Sequence, residues 1–400
     1  MTAPLSGLRV LDLTTVQMGP WCTRILADLG ADVIKVEAPP NGDSSRYTGV
    51  PRNRGMSGSF QHNGRGKRSI ALDLKHPAAL EVLKRLVPGV DAWASNIRPG
   101  ALGRLGLDYE NVKKLNPGIV YLSMVGYGSG GRYAGRPAYD DLIQAGSGVA
   151  ALLHRSSGQP RYIPMAAIDR IVGSAAANAL LAGLLARARS GVGQRIEVPM
   201  FETMVQFVLS EHMQGQTFDP PTSPAGYPRT LSPHRRPYET KDGFVAVLPY
   251  NDGQWRRFFD AIGKGHLLDT DPRFADIGAR TANIDSLYEM ISEALKHRTT
   301  DEWLALLEKN DIPCIRPHTL ESLMDDRHLA DTGFFQWEDH PSEGRIRTMR
   351  EPSTWSETQP PSGLFAPRLG QHTREVLSEA GYSAAEIQGL IGQGAAQAEG

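Results

Sequence analysis

The sequence predicts an α/β fold with a parallel sheet, continued by a smaller α+β domain. Residues 8–13 and 32–37 are short alternating runs rich in β-formers. Between them Gly19-Pro20 opens a stretch with Trp21, Ile25, Leu26 and Leu29 on one face, closed by Gly30. Strand, helix and strand in that order form a crossover unit, and crossover units build parallel sheets. A second observation is the proline cluster Pro220, Pro221, Pro224 and Pro228, which reads as a linker leaving that sheet. Beyond it the pattern changes to a hairpin followed by helices.

The loop after the first strand, Thr14-Thr15-Val16-Gln17-Met18-Gly19, lacks the G-x-G-x-x-G of a dinucleotide site, which excludes a nicotinamide enzyme. Residues 39–66 are polar and rich in Gly, Ser, Asn and Arg, and read as one long loop of the kind that often carries function. Strands are expected at 67–74, 91–96, 119–125 and 194–198, with a helix from His76-Pro77 to Leu86 and another from Tyr139-Asp140-Asp141 to Gly146. Asn96 falls at a strand's carboxyl end, where open α/β sheets place ligands. A helix starts at Phe201. In the second domain a hairpin turns about Asp242-Gly243, and helices follow at 252–262, 283–296 and 300–309. A helix pair at 371–380 and 383–391 precedes a Gly/Ala/Gln tail expected to be disordered.

Four hundred residues allow two or three domains with ample core. A net charge of -1 provides no basic field for nucleic acid. No apolar run reaches the roughly 18 uncharged residues of a membrane span, and no signal-peptide pattern opens the chain. Cys22 and Cys314 stand far apart without metal-ligand spacing. They are expected to be reduced thiols of a cytoplasmic protein, and no metal is expected.

One carboxylate interrupts an apolar stretch, in Ile168-Asp169-Arg170-Ile171. The Ala- and Leu-rich run 174–189 that follows reads as a buried helix, with Asp169 at or just before its first turn. Two readings remain open on these residues alone. Asp169 is either an N-cap, or a carboxylate held in a largely apolar pocket where it acts as nucleophile or base.

A set of motifs spread over essentially the whole chain carries a resemblance. They are Leu5-Ser6-Gly7-Leu8-Arg9-Val10-Leu11-Asp12 with Gly19-Pro20; Leu29-Gly30-Ala31-Asp32-Val33-Ile34-Lys35-Val36-Glu37; and Asn63 with Lys67-Arg68-Ser69-Ile70-Ala71-Leu72-Asp73. Further ones are Asn96 with Arg98-Pro99-Gly100, Gly126-Tyr127-Gly128, Ile168-Asp169, Ser190-Gly191-Val192-Gly193-Gln194, Ala366-Pro367 and Leu369-Gly370. At these spacings the chain resembles the class III CoA-transferases, the family of formyl-CoA:oxalate and carnitine CoA-transferases and α-methylacyl-CoA racemase.

The resemblance implies a Rossmann-like large domain built from both chain ends plus a smaller α+β domain. It also implies a ring-shaped subunit in an interlocked homodimer. On this sequence the parts are 1–200 (large CoA-binding domain), 201–228 (linker), 229–330 (small domain) and 331–400 (return to the large domain). It places the nucleophile at Asp169, which would form a mixed anhydride and then an aspartyl-CoA thioester. Gln17 would aim its amide at the reacting carboxylates, and Tyr139 and Asp140 would face the site. Val16 and Met18 match the segment at the CoA thiol end. Leu72 and Lys75 match residues near adenine and phosphates, while Asn96, Ile97 and Arg104 match pantetheine and nucleotide contacts. Coenzyme A is thus the implied ligand, as acyl-CoA substrate.

The departures from the family pattern are specific. Basic residues that some members place at positions 38 and 137 are here Ala38 and Pro137; the candidates to replace them are Arg46, Arg136 or another nearby arginine. The glycine loop over an oxalate site is missing, and Ser232-Pro233-His234-Arg235-Arg236-Pro237-Tyr238 stands in its place. Oxalate is therefore a poor expected acceptor. Arg235 and Arg236 are candidates to meet the far carboxylate of a dicarboxylic acid, or else two solvated arginines.

Two alternatives stay beside CoA transfer. A racemase needs an acid/base pair, and family racemases carry a histidine where this chain has Tyr139; Glu239 does match a glutamate near their site. A non-catalytic CoA-binding protein would not need Asp169 and Gln17 together.

Overall fold

The computed structural model describes residues 2–399. The chain divides into two compact units. One comprises Met1–Ser147, Ile163–Gln206 and Leu329–Gly400, the other Gly148–Tyr162 and Phe207–His328. Residues 148–162, placed by the sequence inside the N-terminal domain, group with the second unit.

The first unit is built on a seven-stranded sheet. Its strands are β1 (Arg9–Leu13), β2 (Asp32–Glu37), β3 (Lys67–Leu72), β4 (Ala92–Ser95), β5 (Val120–Val125), β6 (Gln194–Pro199) and, much later in the chain, β12 (Ala396–Gln397). The order is β12-β3-β2-β1-β4-β5-β6, parallel throughout except for β12, which pairs antiparallel with β3. Strand order reverses between β1 and β4. The loops leaving their carboxyl ends diverge there and open a crevice.

Side chains alternate across this sheet, and the two faces differ in kind. Leu11, Leu13, Ile34, Val36, Ile70, Leu72 and Trp93 point into a dry cluster with Val82, Leu83 and Leu86, joined by Val376, Leu377, Ile387 and Leu390 from the last helix pair. The alternate positions, Asp12, Lys35, Glu37 and Lys67, are charged and buried. They survive there because each is paired. Lys67 Nζ lies 3.1 Å from Asp12 Oδ2, Lys35 Nζ 2.9 Å from Asp43 Oδ2, and Arg46 Nη2 2.6 Å from Glu37 Oε2. Burial opposes ionisation of Asp12, but Lys67 and Lys35, with the Thr14 and Thr23 hydroxyls, outweigh it and hold the carboxyl below its ordinary range.

The helix Ala167–Ser190 packs on β5 and β6 and against the helix Met18–Asp28. Both approaches need glycine. A Cβ on Gly183 would meet Ile196 Cδ1 at 2.6 Å and Val120 Cγ1 at 2.8 Å, and one on Gly173 would meet the Met18 carbonyl oxygen at 2.6 Å. This helix has 24 residues, with a mean hydropathy of 1.5 over its most apolar 18, and is long and apolar enough to cross a membrane by length and composition. Charged residues flank its apolar stretch, Asp169 and Arg170 before it and Arg187 after it, so the uncharged run is Ile171 to Ala186, short of a full span as the sequence indicates. Ala176, Ala177, Leu180 and Gly183 are buried in the unit's core.

Two other expectations are corrected. Residues 39–66 are not a plain loop: Asp43 caps a 3₁₀ turn, Ser44–Tyr47, and Ser57 caps the helix Gly58–Gly64. Within it Arg46 is bound by Glu37 and stacked 3.8 Å over Phe60, so buried pairing supplies the order that local polarity conceals. The tail is not disordered either. Gly394 turns the chain, and Ala395 and Ala396 are small enough to bury as β12 covers the edge of β3. The same unit also carries the hairpin β10 (Phe335–His340) and β11 (Gly344–Met349).

The second unit holds a three-stranded antiparallel sheet, β7 (Tyr238–Glu239), β8 (Phe244–Val247) and β9 (Cys314–Ile315). Three helices, Asp252–Ala261, Ile284–Leu295 and Thr300–Lys309, close over a core rich in aromatics, including Trp255, Phe258, Phe259, Phe274, Tyr288 and Trp303. Capping boxes at Asn251/Gln254 and Thr299/Glu302 start the first and third of these helices.

Candidate active site

The crevice at the carboxyl ends of β1, β4 and β5 is a cleft of about 550 Å³. Thr15, Val16, Gln17 and Met18 line it after β1, Asn96, Arg98 and Arg104 after β4, and Gly126, Tyr127 and Arg136 after β5. Tyr139, Asp169 and Glu197 complete the wall. Residues as far apart in sequence as Thr15 and Glu197 therefore share one hollow of a size that suits a small-molecule substrate.

Asp169 is the third residue of its helix, not the cap. The N-cap is Ala166, which makes no side-chain cap hydrogen bond. The N-cap reading of Asp169 is thus corrected. A neighbouring carboxylate does the local work instead: Asp140 Oδ1 accepts the Asp169 backbone N–H at 3.0 Å. Asp140 Oδ2 accepts from Gln144 Nε2 at 2.6 Å, and Gln144 Oε1 accepts the Ile163 N–H at 2.8 Å. The approach to the helix is thereby tied to the helix Asp140–Gly146. Burial, and next the negative charge of Asp140, push the Asp169 carboxyl up to about 7, while Arg170 pulls the other way.

Gln17 stands at the N-cap position of Met18–Asp28 but its side chain does not cap. Its Nε2 donates to Ser59 Oγ at 3.0 Å, and its Oε1 accepts from Asn63 Nδ2 at 2.6 Å. Asn63 Oδ1 in turn accepts from Arg170 Nη1 at 3.2 Å, and the Arg170 guanidinium lies 4.2 Å over the Trp21 ring. The amide of Gln17 is thus fixed by the helix Gly58–Gly64 with one N–H uncommitted among the described residues. Ser59 and the positioning part played by Asn63 escaped the sequence reading, since neither is near Gln17 in the chain. Tyr139 is 68 % exposed, so it is not a packing tyrosine.

Arg98, Arg104 and Arg136 are exposed and make no ion pair among the described residues. Arg136 is held by its guanidinium lying 4.4 Å over Tyr133, which packs edge-on to Tyr127 and Phe201. Two carboxylates pin the loop that carries it: Gly128 N–H donates to Glu202 at 3.0 Å and Ser129 N–H to Glu197 at 2.8 Å. Of the two arginines considered as replacements near positions 38 and 137, Arg46 is committed to Glu37 in the core and only Arg136 borders the cleft.

Other expected residues lie outside the cleft wall. Leu72 is wholly buried, its side chain in the apolar cluster and its backbone paired with β12, so the expected adenine contact at this residue is corrected. Ile97 packs beside that cluster and Lys75 is exposed. Arg235 and Arg236 are exposed residues of the second unit, where Arg236 borders a separate hollow with Glu239, Glu289, Glu293 and Lys296. Among the described residues no group of three or more His, Cys, Asp or Glu side chains is placed to hold a metal ion.

A parallel sheet with a cleft at its switch point, walled by a raised carboxyl and a fixed amide, suits acyl chemistry on an anionic ligand. Comparison with known proteins agrees. The family model for CoA-transferase family III matches residues 5–373, and the chain belongs to this family. It is 34 % identical over 386 residues to a succinate–glutarate CoA-transferase of Agrobacterium fabrum, covering 94 % of this chain and 95 % of that one. It is 32 % identical over 395 residues to a succinyl-CoA:glutarate CoA-transferase of Mus musculus, covering 98 % and 90 %. Among solved structures, a CaiB/BaiF family protein from Brucella suis superposes with a TM-score of 0.79 at 31 % identity, over 95 % of this chain and 100 % of that one. The protein is a CoA-transferase.

Proposed function

We propose that it moves CoA from a short acyl-CoA, such as succinyl-CoA, to a free dicarboxylate of four to six carbons, with Asp169 as covalent nucleophile. The observation that carries this is the Asp169 carboxyl, pushed up to about 7 in the wall of the cleft beside the fixed amide of Gln17. The activities of the relatives supply the substrate class.

The ionised Asp169 oxygen attacks the thioester carbonyl, the C–S bond breaks, and CoA thiolate leaves a mixed anhydride. The thiolate then attacks the Asp169 carbonyl carbon, releasing the donor acid as carboxylate and leaving an aspartyl-CoA thioester. The acceptor carboxylate attacks that thioester carbonyl, the C–S bond breaks to release CoA thiolate and leave a second mixed anhydride, and the thiolate finally attacks the acceptor's acyl carbon, freeing Asp169 as carboxylate. No proton is gained or lost in the sum. Each intermediate keeps an activated acyl group, so water must be kept out. A carboxylate raised toward neutrality is more basic and hence a better nucleophile than an ordinary one. The free Gln17 N–H suits an oxyanion. Asp140 holds the backbone of Asp169, and Tyr139 faces the reacting groups. Val16 and Met18 take the thiol end, Asn96 and Ile97 the pantetheine, and Lys75 the adenine side. Arg98, Arg104 and Arg136 meet the phosphates, and Arg235 and Arg236 the far carboxylate. The subunits form an interlocked homodimer in the cytoplasm, in keeping with two free thiols.

The test is a screen of ¹⁴C-labelled acids against succinyl-CoA and formyl-CoA, with mass spectrometry of the Asp169 peptide. Glutarate or a similar diacid is expected to lead, with an aspartyl-CoA adduct cleaved by hydroxylamine. Preference for oxalate, or absence of the adduct, contradicts the reading. Rapid α-deuterium uptake by a 2-methylacyl-CoA in deuterated water would favour the racemase instead.

A further inference from the structure

The loop that presents Gln17 is held in a conformation its own residues disfavour. Val16 has φ +72°, in the left-handed region. A β-branched residue there is a genuine outlier and persists only when its surroundings over-determine it. Those surroundings are explicit. The Thr14 N–H and hydroxyl donate to Asp12 Oδ1 at 2.8 and 2.5 Å. The Thr15 N–H donates to Asn96 Oδ1 at 2.9 Å, and Asn96 Nδ2 donates to the Thr15 carbonyl at 2.9 Å. The Val16 N–H donates to Asp43 Oδ1 at 3.1 Å and Oδ2 at 3.3 Å. Three consecutive amides are thus each held by a different side chain: Asp12 within β1, Asn96 just past β4 and Asp43 after β2.

The geometric result is visible in the cleft wall. An extended chain turns alternate residues to opposite sides. Here Thr15, Val16, Gln17 and Met18 all line the same cleft, and the left-handed residue supplies the reversal. Asp43 is the group that meets Val16 itself. Its side chain and that of Lys35 are each 1 % exposed, and Lys35 Nζ bridges Asp43 and the Thr14 carbonyl at 2.9 and 2.8 Å. Against its burial, Lys35 and the N–H groups of Ser45 and Val16 keep this carboxyl below its ordinary range, so it stays an anion.

We propose that Asp43 is a positioning residue for CoA transfer: its buried carboxylate, locked by Lys35, holds Val16 in the left-handed conformation and so aims Gln17 at the reacting groups. The proposal rests on the reading of the Asp169 cleft as the active site. A merely structural part for Asp43, as cap of the turn Ser44–Tyr47, is the competing account.

The experiment is a cycle of Asp43→Asn, Val16→Gly and the double variant in the full-length enzyme, reading kcat, KM for acyl-CoA, thermal midpoint and the pH profile. Glycine adopts the left-handed conformation freely, so it removes the need for the hold. Asp43→Asn is expected to lower kcat at least about tenfold, with KM and the acid limb of the pH profile little changed. In the Val16→Gly background the same substitution should cost kcat at least about threefold less, a coupling of the size expected for contacting residues. If Asp43→Asn does not fold, Lys35→Met/Asp43→Leu replaces the buried pair without leaving an orphan charge, and is read in both backgrounds in its place. Equal kcat losses with and without Val16→Gly, or a lowered thermal midpoint with kcat intact, overturn the proposal. Asp169→Asn run in parallel separates the two levels: transfer that persists in it refutes the active-site reading, whereas its loss beside an unaffected Asp43→Asn refutes only the positioning role.

Discussion

The side-chain carboxylate of Asp140 accepts the backbone N–H of Asp169 at 3.0 Å, so a second negative charge lies against the carboxyl proposed to do the chemistry. The contact organises the helix start and opposes ionisation of Asp169 at once. Since transfer needs Asp169 as an anion and moves no net proton, its titration near pH 7 sets the acid limb of activity. Asparagine at 140 keeps the hydrogen-bond acceptor and removes the charge. Asp140→Asn should therefore move the acid limb of kcat/KM to lower pH, by roughly one unit. An unmoved limb between pH 5 and 9 would leave Asp140 with a purely structural part.

Asp169→Asn should abolish transfer, by at least about 10⁴-fold, while leaving the fold and CoA binding intact. It should also change stability in a definite direction. The folded carboxyl has a pKa raised from 3.8 to about 7, so the folded state favours the protonated form. Its stabilising share is complete below the unfolded value and is lost as pH rises through about 7. The neutral asparagine escapes that loss. Thermal midpoints should place Asp169→Asn above the wild type at pH 8, with the gap closing as pH falls toward 4. A variant less stable at pH 8 would count against a desolvated carboxyl.

Gln17→Ala removes the amide that Ser59 and Asn63 hold in place. Loss of one donor to a developing oxyanion costs about 10²–10³ in kcat. KM for acyl-CoA should hardly change. Asn63→Ala should give a smaller fall of the same kind, because Asn63 reaches the reacting groups through Gln17 and, on its other side, Arg170. A large KM effect with normal kcat would turn Gln17 into a binding residue.

Arg98, Arg104 and Arg136, changed singly to alanine, should each raise KM for acyl-CoA about tenfold, as expected for one charge-assisted contact to phosphate. With acyl-pantetheine, which lacks the nucleotide, each variant should match the wild type. Equal defects on both substrates would place these arginines elsewhere than the phosphates. Arg46→Ala should instead unfold or destabilise the protein, since it strands Glu37 in the core.

An interlocked dimer cannot separate without opening a subunit, so dilution should not yield folded monomer. Sedimentation at nanomolar concentration tests this directly, and a compact folded monomer there rules the arrangement out.

The alternation of Leu11, Asp12 and Leu13, the glycine after the first helix and the apolar run after Asp169 are local signals. Local signals sufficed for β1 to β6, for the helices Met18–Asp28, Pro77–Leu86, Asp140–Gly146 and Ala167–Ser190, and for the place of Asn96 at a strand end, because hydrophobic period and turn chemistry act over a few residues. The motifs that mark the family were legible for the same reason, each being a short run. Other features depend on groups brought together from far apart. Whether Asp169 caps a helix depended on Ala166 and Asp140; whether Arg46 could meet a phosphate depended on Glu37 and Phe60. The tail's strand needed the open edge of β3, more than 300 residues earlier. Val16 carries no mark of its left-handed backbone in its own neighbourhood. That conformation is imposed by Asp43 and Asn96, which only the folded sheet brings to the loop, together with the nearby Asp12. Periodicity is a property of adjacent residues, whereas burial, pairing and strain belong to the contacts that tertiary structure closes.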